Sequence, residues 1–418
     1  MTGSLDADVT VRVHRDERTH IVFHARNDTP PDLPVALAQQ GVMDQARHHL
    51  DAGLLELKDV LPDLEVDDRD VPEVFEVLHR IGTGLGFLLF GCQAQTIQGL
   101  ENWWKTALPH GRNPDLPPPL VECIGDKETF LPLELLPLFQ GYPNTPRSRA
   151  EFIVECRNLV GFSCMVKRSM LLDTPIPTGL CLETTPGGRL PLRFLQHDEL
   201  EGARKELGWF TSEAAHRVEV DGPYPYGDTA AATLVEQICD PRRSLAGELR
   251  NIPDQILHFA CHCYATLDSP LDNAIELSGG GEELRVKLRT IGAGLYRLRS
   301  RPGQDSCEMP LVVMNACGAA RMHATSALSF PSLFLMNGNR GFIGSEIEVP
   351  DGLAAEFSKA LYERFLLRQL PLGRSVLEAR NSLLHMYGNP LGIAYAAYAD
   401  PQLHVCPELT EDVHVSAN

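Results

Sequence analysis

No run of about 18 residues in this 418-residue chain is both apolar and free of charge, so the sequence offers no membrane span. The N-terminus, MTGSLDADVT, lacks a basic segment followed by an apolar core, and no secretory leader is expected. Basic residues are scarce: 37 Lys and Arg stand against 56 Asp and Glu, a net charge of −19. A protein that grips phosphates through bulk charge needs the opposite balance, so nucleic acid is not the expected partner. No low-complexity tract or short-period repeat appears. The hydrophobic fraction of 43% and charged fraction of 22% are ordinary globular values and exclude a disordered or collagen-like chain. The length allows two or three domains of about 150 residues, or one large fold with an extension. A phosphate loop is also missing. The glycines at 82, 84 and 86 follow no strand, and the helical pattern of residues 72–90 runs through them, so close helix packing is their expected role. No cofactor motif is present and no cofactor is expected.

The 11 cysteines are odd in number and dispersed, many in apolar runs. Without a leader they read as reduced thiols of a cytoplasmic protein, most of them small buried hydrophobes. A reactive one must be found by its context.

Residues 8–26 alternate as a hairpin, with Val9, Val11 and Val13 followed by Ile21 and Phe23. The spacing predicts helices over 34–58 and 72–90. Prolines 109, 114, 117, 118 and 119 mark a link. We expect an N-terminal hairpin and helical region over 1–115 and a second domain over 116–418, divided into 116–245 and 246–405. Beyond the link, strand candidates are 120–124, 179–183, 215–220, 256–261, 274–277, 311–316, 341–346 and 393–398. Helices are expected at 148–160, 198–213, 228–240, 284–299, 326–337, 351–369 and 373–386. Such alternation implies an α/β fold with a largely parallel sheet covered on both faces.

Sites in such sheets form beyond the carboxyl ends of strands. One strand, ILHFAC, runs into His262; another, LVVMNA, runs into Cys317. The residues between hold a short strand and a helix, enough for a right-handed crossover between neighbouring parallel strands about 5 Å apart. A thiol and an imidazole would then meet across a cleft, as nucleophile and proton carrier. Gly318, Ala319 and Ala320 would let backbone N–H groups approach a substrate carbonyl, although a buried cysteine closing a strand fits the spacing equally well. A metal is not expected at Cys261, His262 and Cys263: strand neighbours alternate faces, so one zinc could not take all three. His258, four residues earlier in an apolar strand, is expected to be packed and hydrogen-bonded.

At these residues the sequence resembles the CHAT peptidases, caspase-like cysteine proteases related to separase. The pairing of HFACH with LVVMNAC carries the likeness. FLPLELLPLF (130–139) resembles the family's early LPwElLP signature. GNRGFIGSEIEVPDGLAAEFSKALYERFL (338–366) resembles the strand, Pro-Asp turn and helix after the nucleophile, and AAYADP (396–401) its closing strand. The resemblance spans about 120–405. It implies a caspase-like α/β/α sandwich and a His262/Cys317 dyad. The oxyanion donors would be the N–H groups of Cys263 and Cys317. Cys263 stands where the family usually has glycine, which leads us to expect an extra side chain in the cleft. Asn315 matches a position bordering the specificity pocket.

Acidic groups that could read a basic P1 residue are Glu346, Glu348 and Asp351 after one strand and Asp268 and Asp272 after another. The default reading of each is a solvated loop carboxylate, or a helix cap for Asp351, and a hydrophobic P1 residue stays open. The implied activity is hydrolysis of a protein partner, encoded nearby, in a bacterial defence or cell-death pathway, with a zymogen or gasdermin-like substrate. The alternatives are a catalytically silent CHAT scaffold and a small-molecule hydrolase on the same sheet.

Overall fold

The computed structural model describes residues 6–15, 19–36, 41–61, 64–91, 94–109, 116–125, 131–137, 144–171, 179–225, 231–243, 249–264, 272–279, 282–300, 309–316, 319 and 329–406. Cys317 and Asp268 lie outside these residues.

The chain opens with β1 (Val9–Arg15), β2 (Thr19–Ala25) and β3 (Leu33–Ala36), then α1 (Val42–Val60), α2 (Val71–Phe90) and α3 (Ala94–Ala107). β4 (Leu120–Gly125), α4 (Arg149–Cys156), α5 (Val160–Ser163), β5 (Met165–Met170) and the short β6 (Cys181–Leu182) follow. Then come β7 (Leu190–Gln196), α6 (Glu201–Thr211), β8 (Val218–Tyr224), α7 (Ala231–Cys239) and β9 (Ile256–Tyr264). The next elements are β10 (Ala274–Gly279), β11 (Glu282–Lys287), α8 (Leu288–Arg299), β12 (Met309–Ala316), α9 (Phe330–Met336) and β13 (Asn339–Ser345). The chain closes with α10 (Asp351–Tyr362), α11 (Leu372–Tyr387), β14 (Tyr395–Ala399) and β15 (His404–Val405).

Two sheets organise these elements. One has the order β3-β2-β1-β4-β5, in which β1 pairs in parallel with β4, so strands from both sides of residue 115 share one sheet. The other runs β11-β10-β9-β12-β13-β14, with β7 pairing β8 and β9. Its centre, β8-β7-β9-β12-β13, is parallel. The hairpin β10–β11 and strand β14 flank it antiparallel. Strand β9 shows the layering directly. His258 reaches Glu206 of α6 and Tyr362 of α10 on one face, and its neighbour Phe259 packs on Phe334 of α9 on the other. Helices therefore cover both faces of the sheet, the α/β/α layering expected.

Most expected elements appear with shifted ends. The helix expected from 284 starts at Leu288, because Leu284 and Val286 alternate and pair with β10 as β11. The helix expected from 34 starts at Val42, after β3. The helix expected over 351–369 is α-helical to Tyr362 and π-helical over Glu363–Leu367. Two of the three glycines of α2 serve packing: a Cβ on Gly82 would sit 2.6 Å from the Leu135 carbonyl oxygen, and one on Gly84 would collide with His49, while Gly86 faces open space. The cysteines depart from an all-reduced set, since Cys181 of β6 and Cys406 beside β15 are joined in a disulfide across paired strands. No single described helix is long and apolar enough to cross a membrane.

Candidate active site

The site grows from the end of β9. That strand continues past its partners: β7 ends at Gln196 opposite Ala260, and β12 pairs as far as Ala316 opposite Cys261. His262 follows immediately and lines a cavity of about 440 Å3 at the carboxyl edge of the sheet. Cys261, Asn315 and Ala316 form its sheet side, and Ser345, Glu348, Val349, Pro350 and Asp351 form the wall after β13. The opposite rim comes from α1: Lys58, Asp59 and Leu61 face the same space.

The hydrogen-bond ladder fixes where backbone groups point. Leu311 N donates to Gln255 O, so odd residues of β9 aim their amides at β12; His197 N donates to Ala260 O, so even residues aim at β7. The Cys263 N–H therefore points toward the end of β12, as an oxyanion donor there must. Its side chain does not occupy the cleft, contrary to expectation. Alternation turns it to the face opposite His262, where it is buried in the hydrophobic core. Cys261, not Cys263, borders the cavity.

Asn315 sits on the cavity floor, and its amide is fully engaged. Its Nδ2 donates to Glu206 Oε1 at 2.7 Å and to the Ala354 carbonyl at 2.9 Å, while its Oδ1 accepts from the Tyr395 hydroxyl at 2.6 Å. The other Glu206 oxygen meets His258 Nε2 at 2.8 Å, and His258 Nδ1 meets the Tyr362 hydroxyl at 2.9 Å. Burial and the nearby Glu206 carboxylate hold the Tyr362 phenol well above its ordinary value, so it stays a donor. Two donor chains, Tyr362–His258 and Tyr395–Asn315, thus converge on the Glu206 carboxylate beneath the floor. His258 is the packed, hydrogen-bonded residue expected.

The acidic candidates divide. Glu346 is a correction: it is 3% exposed and bound by two guanidinium groups, with Arg47 of α1 at 2.6 Å and Arg168 of β5 at 2.5 Å. A carboxylate so engaged cannot read substrate. Asp272 is paired with Lys287 at 2.8 Å and is absent from the cavity wall. Glu348 does line the cavity, exposed to solvent and 3.0 Å from Lys58. Asp351 lines it too, and accepts from Gly202 N at 2.7 Å, capping α6 rather than its own helix. The Lys58–Asp59–Leu61 rim carries no sequence signal, because only folding brings the end of α1 to these strands. No cluster of described side chains could hold a metal ion.

The family model described as CHAT domain matches residues 194–392. That stretch is a CHAT domain. It contains α6, β9, β12 and the floor residues Glu206, His258, Asn315 and Tyr362, while Tyr395 lies just beyond its limit. A protein named "Probable protease" from Vitiosangium sp. (strain GDMCC 1.1324) is 35% identical over 123 residues, which is 29% of this chain. The match spans only 16% of that relative's length. Gingipain R, an Arg-specific cysteine proteinase, is similar with a TM-score of 0.43 at 9% identity, covering 75% of this chain and 68% of its own. The separase–securin complex of Saccharomyces cerevisiae is similar with a TM-score of 0.43 at 10% identity, covering 94% of this chain and 30% of its own. These likenesses are loose, and the chemistry of the CHAT domain stands on the geometry of its own residues.

Proposed function

We propose that the protein is a cysteine endopeptidase whose CHAT domain works through His262 and Cys317. The observation that carries this reading is the end of β9: an imidazole lines a substrate-sized cavity, and the next backbone N–H is aimed at the strand that leads into Cys317. Ala316 is in register with Cys261, and Cys317 is one peptide bond further on. In the reaction the Cys317 thiolate attacks the scissile carbonyl, and the N–H groups of Cys263 and Cys317 receive the oxyanion. His262 protonates the leaving amine, and water then hydrolyses the thioester and restores the thiol. A silent scaffold gains no support, since the Cys263 side chain leaves the cleft clear.

Three carboxylates, Asp59, Glu348 and Asp351, face one ammonium, Lys58, around the cavity. This balance supports a basic residue at the cut. The partner we propose is a protein encoded nearby, a zymogen or gasdermin-like pore former of a bacterial defence or cell-death pathway, met in the cytoplasm. Incubation with such partners should yield a single cut after Arg or Lys, identified from the new N-terminus. It should vanish with Cys317→Ala and with His262→Ala. A cut that persists in Cys317→Ala overturns the assignment.

A further inference from the structure

His262 makes no hydrogen bond to any described residue; its ring contact is with His197, whose centroid lies 4.7 Å away at an interplanar angle of 71°. His197 is rigidly held. It follows β7 directly, its N–H donates to Ala260 O at 2.9 Å, and it bridges to Ser278 at the end of β10. The next residue, Asp198, donates its N–H to Ser278 Oγ at 2.9 Å, which fixes the chain on the far side. The side chain is 3% exposed, yet its Nδ1 has no hydrogen-bond partner.

A buried polar atom left unmatched is destabilising. A leucine of similar volume would fill the same space without that cost, so packing gives no reason for a nitrogen here. The neighbouring imidazole supplies one. When His262 carries its second proton, it has two N–H donors. One serves the leaving amine; the other needs an acceptor, or it is itself left unmatched. Catalytic hydrogen bonds are often long or misaligned before substrate binds and tighten afterwards. Glu276, directly opposite His262 on β10, already accepts from the Tyr264 hydroxyl at 2.5 Å.

We propose that His197 is a positioning residue for His262, holding the imidazole through the ring contact and accepting its second N–H at Nδ1 when it is protonated. This rests on the reading of His262 as the proton donor. The test compares His197→Leu, which removes every polar atom, with His197→Gln, which restores an acceptor. In the full chain, His197→Leu should lower kcat by about tenfold or more, the size of one hydrogen bond to a charged group. KM should stay near that of the wild type, and the melting temperature should not fall, because a buried unmatched atom has gone. His197→Gln should recover much of kcat. Wild-type kcat in His197→Leu, or equal loss in both variants with intact folding, overturns the proposal while leaving the dyad in place. A wild-type protein with no cleavage dependent on Cys317 and His262 fails the dyad itself, and the positioning role with it.

Discussion

Glu346 and Glu348 stand two residues apart and have opposite duties. Glu346 is buried between Arg47 and Arg168, so Glu346→Ala removes the carboxylate they share, leaves Arg47 with Asp51 and Arg168 with Glu134, and should cost about 3 kcal/mol in denaturant unfolding. Glu348 is 65% exposed at its side chain, so Glu348→Ala should change stability by less than about 0.5 kcal/mol while raising KM for a basic-P1 peptide. Glu134, inside the LPLELLP motif, extends the same cluster. Burial alone would push its carboxyl up; the guanidinium groups of Arg168 and Arg380 outweigh burial and hold it below the ordinary 4.5. A depressed carboxyl contributes stability that is complete above 4.5 and is lost as pH falls below that value. Acid titration of the unfolding free energy should show this loss, and Glu134→Gln should flatten it. The motif was legible in the sequence, but its physical reason was not, because Arg168 and Arg380 are far from it along the chain.

At the scale of elements, the strands that carry the chemistry were legible because they are apolar runs ending in reactive residues. β9 and β12 were placed as parallel neighbours, and they are. β7 was missed: Pro191 and Arg193 interrupt its apolar pattern, and only the fold shows Arg193 buried with Asp254. The strand expected at 274–277 runs on to Gly279, because its partner is β11 and not the first turn of the helix expected from 284. Helix α2 provides a test of its own. Gly86 faces open space, so Gly86→Ala should stabilise the protein by up to about 1 kcal/mol through helix propensity. Gly82→Ala drives a methyl group into the Leu135 carbonyl and should destabilise it. Equal effects in thermal unfolding would contradict the packing account.

At the scale of the whole molecule, the N-terminal elements are built into the site. β1 completes the sheet of β4 and β5, Arg47 anchors Glu346 behind the wall after β13, and the end of α1 forms one rim of the cavity. Removal of residues 1–115 should therefore leave a chain that is insoluble or inactive; a folded, active 116–418 fragment would contradict this. The cysteines bear on the central claim in the same way. Burial pushes the Cys123 and Cys239 thiols up to about 12, and those of Cys156 and Cys164 rise as well, so all four are poor nucleophiles near neutral pH. The most direct measurement is mass spectrometry of the full chain after brief exposure to a peptide carrying a thiol-reactive electrophile. The account predicts one adduct, on Cys317, that is lost in Cys317→Ala and strongly slowed in His262→Ala. An adduct on another cysteine with Cys317 unmodified, or labelling of Cys317 indifferent to His262, would contradict it.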